Sequence, residues 1–340
     1  MSRIWGTGRQ TVRASLAAGA LLAAAACGGV QSGGGGGSGD KAAALPDRPV
    51  EFIIPFAPGG STDLIGRAAT KQVSGPLGES MVVVNKAGAG GAVGTREAVD
   101  GAADGHKVAL APTSLFTISP LVKKESTGLD LEKMEIVTGL TLENLVLVVP
   151  KGSPFKTIDD VLAAKSGGKT LTYGHSGVGT GTHFSGLLLL GSAGVKFKDV
   201  PFDGSGPSVN ALLGRQIDMA FTQVAESIKQ VQSGDLRQLA IFSDTRSKLL
   251  PDVPTVKETG FDFTVDQVRF VVAPKGTPKA AVDKLRTSFL ESTKDPAYTT
   301  FLEQNFIERA ELSGADLRAK VEKDLARYKE LTSKLGVSPQ

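Results

Sequence analysis

Glu51–Asp63 reads EFIIPFAPGGSTD, and the fold is decided there. Phe52, Ile53 and Ile54 form a short aromatic and β-branched run, the pattern of a buried strand. Pro55 and Pro58 end the ladder, because proline has no N–H to donate. Gly59 and Gly60 free the backbone for a tight turn, and Ser61 or Thr62 caps a helix that begins TDLIGRAATKQV. A strand that feeds such a turn and opens a helix leaves several N–H groups pointing outward. The helix dipole stands behind them, so an anion can be held without a charged side chain. Taken alone, the same pattern also describes an ordinary strand–helix connection with no ligand.

Two further loops repeat the grammar. YGHSGVGTGTHFSG, from Tyr173 to Gly186, offers the hydroxyls of Ser176, Thr180 and Thr182 and the N–H groups from Gly177 to Gly181. FDGSGPSVN, from Phe202 to Asn210, adds Ser205 and Ser208. Three glycine–hydroxyl turns at helix starts suit a small, oxygen-rich anion better than mere connection. An esterase elbow fails at the second loop, since Val178 stands where G-x-S-x-G needs its last glycine. His183 there is expected to serve the helix start rather than to act as a base. The run AGAGGAVG is one residue too long for G-x-G-x-x-G, and SGGKT lacks the leading glycine of a phosphate loop. Three histidines without clustered carboxylates point to no metal site, and no cofactor motif occurs.

Outward from these loops, strands and helices alternate from about Pro46 to the C-terminus. That is about 300 residues, enough for two α/β lobes with largely parallel sheets. LVLVVPKGS (145–153) and FVVAPKGTP (270–278) resemble each other and are expected to be paired crossovers between the lobes. The corresponding boundaries are 46–146 with 268–340 for one lobe and 147–267 for the other. Ligands in open α/β sheets bind at the carboxyl ends of the strands.

Residues 1–26 read as a secretory signal. Arg3, Arg9 and Arg13 precede the short apolar stretch ASLAAGALLAAAA, too brief for an anchor helix. Cys27, the single cysteine, follows four alanines and resembles a lipobox cysteine, degenerate because Leu22 stands five positions before it rather than three. An ordinary signal peptide with an incidental cysteine is the alternative. Residues 27–45, rich in glycine and serine, read as a flexible tether that would hold a domain off a membrane surface. The chain carries 38 Lys+Arg against 35 Asp+Glu, and the three leader arginines account for that excess. A formally neutral mature chain argues against a nucleic-acid partner.

Eight segments in order carry a family resemblance: PFAPGGSTDLIGR, VVNKAGAGGAVGT, ADGHKVAL, YGHSGVGTGTH, VPFDGSGPSVNALLGRQIDMAF, GDLRQLAI, LPDVPTVKETG and APKGTP. Together they resemble the substrate-binding proteins of tripartite tricarboxylate transporters, the Bug family, from Val50 to Leu335. The resemblance implies a two-lobed, venus-flytrap, periplasmic-binding-protein-like α/β fold of the second type. It implies a carboxylate between the lobes, no catalysis, and delivery to a permease with one large and one small integral subunit. The ligand residues it implies are Ala57, Pro58, Gly59, Gly60, Ser61, Thr62 and Asp63 in the first loop and Ser176, Gly177, Thr180, Gly181 and Thr182 in the second. Ser205, Thr222 and Arg269 join them by position. Asp63 would repel a carboxylate directly, so it is expected to serve the helix start or a ligand hydroxyl or amide.

The chain departs from the family pattern at Phe221, Thr222 and Gln223, at Gln267, Val268 and Arg269, and at His175. Glu226 and Arg269 resemble a tricarboxylate-type branch, which favours a di- or tricarboxylate. Arg269 would then hold a second acid group, or else form a salt bridge with Asp266 or Glu226. A monomer is expected, lipid-anchored on the outer face of the cytoplasmic membrane. A binding protein for another importer or a sensor kinase, and a secreted α/β hydrolase, are the other readings.

Overall fold

The computed structural model describes residues 47–123, 128–248 and 250–336. The signal, Cys27 and the tether lie outside the described residues. Ten strands are present among them: β1 (Val50–Ile54), β2 (Met81–Asn85), β3 (Lys107–Pro112), β4 (Met134–Pro150), β5 (Leu171–His175), β6 (Phe197–Pro201), β7 (Met219–Gln223), β8 (Leu236–Ile241), β9 (Asp266–Pro274) and β10 (Glu308–Arg309). They run in the order β2-β1-β3-β9-β4-β7-β5-β6, with β8 and β10 also on β4. The fold is a two-lobed, periplasmic-binding-protein-like α/β architecture.

β4 belongs to both halves. Its first part pairs antiparallel with β9, from Met134↔Pro274 to Asn144↔Asp266. From Leu145 onward it pairs with β7 and β8. The chain returns through residues 242–265, where Phe242 N–H donates to the Leu145 carbonyl at 2.9 Å and Val265 N–H to the Phe242 carbonyl at 3.1 Å. β3 with β9 and β10 with β4 are antiparallel too. Only β1 with β2 and β3, and β5 with β6 and β7, are parallel, so the sheets are mixed rather than largely parallel, because β4 and β9 run against their neighbours. Parallel strands covered on both faces read as continuous apolar runs, which is why β1 and β3 were plain in the sequence.

Alternation along β1 sorts its side chains. Phe52 and Ile54 pack with Ile65, Leu285 and Phe289 on one face, and Ile53 packs with Ala109, Phe270 and Leu317 on the other. Around the second sheet, Leu145 and Leu147 pack with Phe184, while Val146 and Val148 pack with Val209 and Leu212. The last helix, Gly314–Lys334, serves both halves. Leu317 and Val321 sit in the core of the first, and Tyr328 sits in the core of the second, 5.0 Å from the Phe184 ring.

Three elements differ from expectation. β4 begins at Met134, well before the run that starts at Leu145, because Gly139 interrupts its β-branched pattern. A Cβ at Gly139 would lie 2.6 Å from the Ala310 carbonyl, so the close crossing of residues 310–312 requires glycine. The run AGAGGAVGTREAV is not all loop, since a helix starts at Ala92. The first helix ends at Thr70 rather than near Ser74, and Ser74–Leu77 is a separate turn of helix.

Candidate functional site

The carboxyl ends of β1, β2, β5, β6 and β7 point toward one cleft. The first loop, after β1, enters helix Ser61–Thr70 with Gly60 as N-cap. Asp63, 3% exposed, is a fastener within this loop: it accepts from Gly59 N–H at 3.0 Å, Arg67 Nε at 2.9 Å and Asn85 Nδ2 at 2.9 Å. Burial raises its carboxyl, but these donors outweigh that and hold it below the usual carboxylate range. Asp63 thus serves the helix start and does not face the cleft.

Ser61 is also spoken for. Its N–H donates to Glu226 Oε1 at 2.7 Å, and its hydroxyl makes a short bond to Glu143 Oε2. The helix terminus that looked free in sequence is therefore covered in part by the chain's own Glu226. Gly60 and Thr62 N–H remain unbonded among the described backbone and side-chain partners.

Behind the loop lies a buried ion pair. Arg269 on β9 donates from Nε to Glu143 Oε1 on β4 at 2.7 Å, with the two side chains 3% and 2% exposed. The guanidinium carbon sits 5.5 Å from the Phe56 ring centre. The amide of Gln223 is placed so that its oxygen accepts from Arg269 Nη2 at 3.2 Å and its nitrogen donates to Glu226 Oε2 at 2.9 Å. Thr222 Oγ1 donates to the same Glu226 oxygen at 3.0 Å. Burial pushes the Glu226 carboxyl up, and the Ser205, Ser61 and Thr222 donors pull it back. Arg269's partner is thus neither Asp266 nor Glu226. Asp266 pairs instead with Lys320 at 2.9 Å.

The second loop turns its hydroxyls inward. Thr180 is the N-cap of helix Gly181–Ser192 and accepts from His183 N–H. Thr182 Oγ1 accepts from Ser176 N–H at 3.0 Å and lies 2.8 Å from Ser176 Oγ, and Gly181 packs under Leu145 and Gln267. Thr180, Gly181 and Thr182 consequently hold the loop's shape and do not line the cleft; Ser176 and Gly177 do.

The buried His175 and His183 and the half-buried Asp199 form a group behind this loop, with ligand-type atoms within 4.8 Å of one another. Nδ1 of His175 accepts from Gly177 N–H at 3.2 Å, and Nδ1 of His183 accepts from Gly179 N–H at 3.4 Å. That sets the proton of each ring on Nε2, facing Asp199 at 3.2 and 3.9 Å. His175 hydrogen-bonds Asp199 and the His183 N–H faces it from beyond hydrogen-bond reach, whereas a cation would need both Nε2 lone pairs free. Burial holds His175 below its usual range and His183 down to about 3, so both are neutral.

The cleft has two compartments. The inner one, of about 20 Å³, is lined by Phe56, Ala57, Pro58, Gly60, Thr62, Ser176, Asp203, Ser205, Gln223, Glu226 and Arg269. That is room for about one water-sized group in this conformation. The outer one is bounded by Gly88–Gly91, Lys123, Gly177, Val178 and Asp203. A Cβ at Gly90 would lie 3.1 Å from the Val178 carbonyl, so the loops after β2 and β5 nearly touch at the mouth. Gly59 lies on a separate surface groove with Leu64 and Asn210, and Thr222 acts through Glu226. Phe56, Lys123, Asp203, Gln223 and Glu226 line the cleft without having been singled out as ligand residues from the sequence.

A two-lobed α/β fold with a small cleft of convergent polar groups at its strand ends is that of a solute-binding protein. Residues 65–337 match the family described as tripartite tricarboxylate transporter family receptor, and the chain belongs to that family. A UPF0065 protein from the tcbD–tcbE intergenic region of Pseudomonas sp. strain P51 is 32% identical over 270 residues, covering 78% of this chain and 80% of the relative. Protein BugT of Bordetella pertussis is 33% identical over 249 residues, 71% of this chain and 75% of the relative. Among solved structures, the periplasmic binding protein BugD superposes with a TM-score of 0.81 at 32% identity, covering 87% of this chain and all of that one. MatC from Rhodopseudomonas palustris with bound malate gives 0.79 at 26%, covering 84% and 99%. An R. palustris protein solved with adipate gives 0.81 at 26%, covering 87% and 100%. The family and its solved neighbours are solute-binding proteins, not enzymes.

Proposed function

We propose that this chain captures a small carboxylate outside the cytoplasm and hands it to the large and small membrane subunits of a tripartite tricarboxylate transporter. The observation that carries this reading is the cleft itself: helix starts, a serine pair and Arg269 converge on a small polar cavity, in a family whose solved members include malate and adipate complexes. The lobes are taken as 46–146 with 268–340 and 147–267, and closure around the ligand is the working motion. No described helix is long and apolar enough to cross a membrane. Retention is assigned to Cys27, lipidated and followed by the glycine tether, on the outer face of the cytoplasmic membrane; the protein acts as a monomer.

A thermal-shift screen against small carboxylates tests the ligand class, because a ligand that binds only the folded state raises its stability by mass action. A Tm unmoved by every acid would overturn the reading. One acyl chain binds a membrane only marginally, so stable retention implies several chains on Cys27. Fractionation of wild type and Cys27→Ala tests this, and equal membrane retention removes the anchor.

A further inference from the structure

The second loop spends most of its amides on itself. Ser176 N–H goes to Thr182 Oγ1 at 3.0 Å, and Thr180 N–H to the Gly177 carbonyl at 3.3 Å. Gly177 and Gly179 pass through the left-handed region, at φ +118° and +83°, and their N–H groups end on Nδ1 of His175 and of His183. From Ser176 to Thr180, the Val178 N–H is therefore the one amide without a partner among the described residues. Val178 lines the outer compartment, and Ser176 lines both.

An acceptor at each Nδ1 needs a neutral ring with its proton on Nε2. At His175, Nε2 donates to Asp199 at 3.2 Å, and burial keeps both rings neutral. The two ring centres lie 4.6 Å apart, with the Tyr173 ring 5.6 Å from that of His175. Neither histidine reaches solvent, and neither lines the cleft. Whatever they do for a ligand, they do through the turn.

We infer, on the basis of the carboxylate reading above, that His175 and His183 are positioning residues of the ligand site. By taking up the Gly177 and Gly179 amides they fix the turn so that Val178 N–H is the amide the second loop presents to the ligand carboxylate. It stands there beside Ser176 and opposite the first loop.

Amide substitutions separate this role from packing. The side-chain oxygen of asparagine stands near the place of Nδ1, whereas the amide of glutamine reaches that of Nε2. His175→Asn thus keeps the acceptor for Gly177 and gives up Asp199; His175→Gln keeps a donor for Asp199 and gives up Gly177. His183→Asn and His183→Leu make the same contrast at Gly179, where Nε2 has no hydrogen bond to lose. Two measurements are made on the full mature chain at neutral pH. Without ligand, hydrogen exchange at the Gly177 amide should quicken about 5- to 10-fold in His175→Gln and stay within about twofold of wild type in His175→Asn. In calorimetry with malate, adipate, citrate and hexanoate, the acid that binds wild type best should weaken about 5- to 10-fold in His175→Gln and His183→Leu, and by no more than about twofold in both asparagine variants. Should His175→Gln fail to fold, the His183 pair carries the test. If the acceptor-free variants bind as tightly as the asparagine variants, the inference falls while the carboxylate reading stands. If none of the acids binds wild type, both readings fall.

Discussion

Replacing Arg269 with glutamine leaves Glu143 buried, 2% exposed, with only the Ser61 hydroxyl to hold it. Breaking one side of a buried ion pair costs about 3–5 kcal/mol, because the surviving charge loses its counterion without regaining water. For a domain of this size, about 2–4 °C of Tm accompany each kcal/mol, so a fall of roughly 6–20 °C is expected. Urea unfolding of wild type, Arg269→Gln, Glu143→Gln and the double variant measures the coupling directly. The double variant should be more stable than either single variant, since two neutral amides can hydrogen-bond across β4 and β9. The reasoning is refuted if Arg269→Gln loses under 1 kcal/mol, or if the two single losses simply add. Additivity would mean that the two side chains do not sense one another.

Three further expectations follow from the same geometry. Gly60 has φ −78° and ψ 170°, open to any residue, but a Cβ there would lie 3.3 Å from Glu226 Oε1; Gly60→Val should therefore fold and lose ligand binding, and undiminished affinity in calorimetry would count against the inner compartment. Asp63→Ala removes the charge-assisted fastener of the first loop and should cost about 1.5–3 kcal/mol in urea unfolding, whereas a change below 0.5 kcal/mol would show that Asn85 and Gly60 hold the loop alone. His183, held down to about 3 against an ordinary 6.5, contributes stability above pH 6.5 that is lost as pH falls toward 3. The slope is up to ~1.4 kcal/mol per pH unit, while Glu226, raised by burial, works in the opposite sense; His183→Asn should flatten the profile between pH 6.5 and 4, and an unchanged profile would place the titration elsewhere.

The expected cap at Ser61 or Thr62 was wrong: Gly60 is the N-cap with no side-chain bond, and the Ser61 hydroxyl goes to Glu143 instead. The rest of the strand–turn–helix grammar was legible because the apolar run of β1, the proline stop and the glycines are local. The ion pair was not, since Glu143 and Arg269 lie 126 positions apart and meet only through the β4–β9 register. A signal did exist. Glu143 is the lone acid beside the run LVLVVP, and Arg269 is the lone base within VRFVVAP. A charge set against an apolar run in each of two buried strands must find a partner, and the other is available. Hydroxyl direction was illegible for a different reason. Whether Thr180 faces a ligand or its own helix depends on which residue takes the N-cap, and at Thr180 the backbone of His183 takes the oxygen. Glu226 misled most, because a helix start reads as an empty anion site until the residue that fills it arrives from 165 positions away.

The last helix has a mechanical consequence. Its 21 residues make a rod about 31 Å long, with Leu317 and Val321 seated in one core and Tyr328 in the other. Lys320 binds Asp266, and Arg327 reaches Thr264 at 2.6 Å, so the rod is also bolted to the returning crossover. A rod gripped by both halves allows them to roll about its long axis and resists their being pulled apart end to end. It is a hinge pin. Shortening it from the C-terminus would slacken the half that holds Tyr328 first, and the door would swing loose on that side.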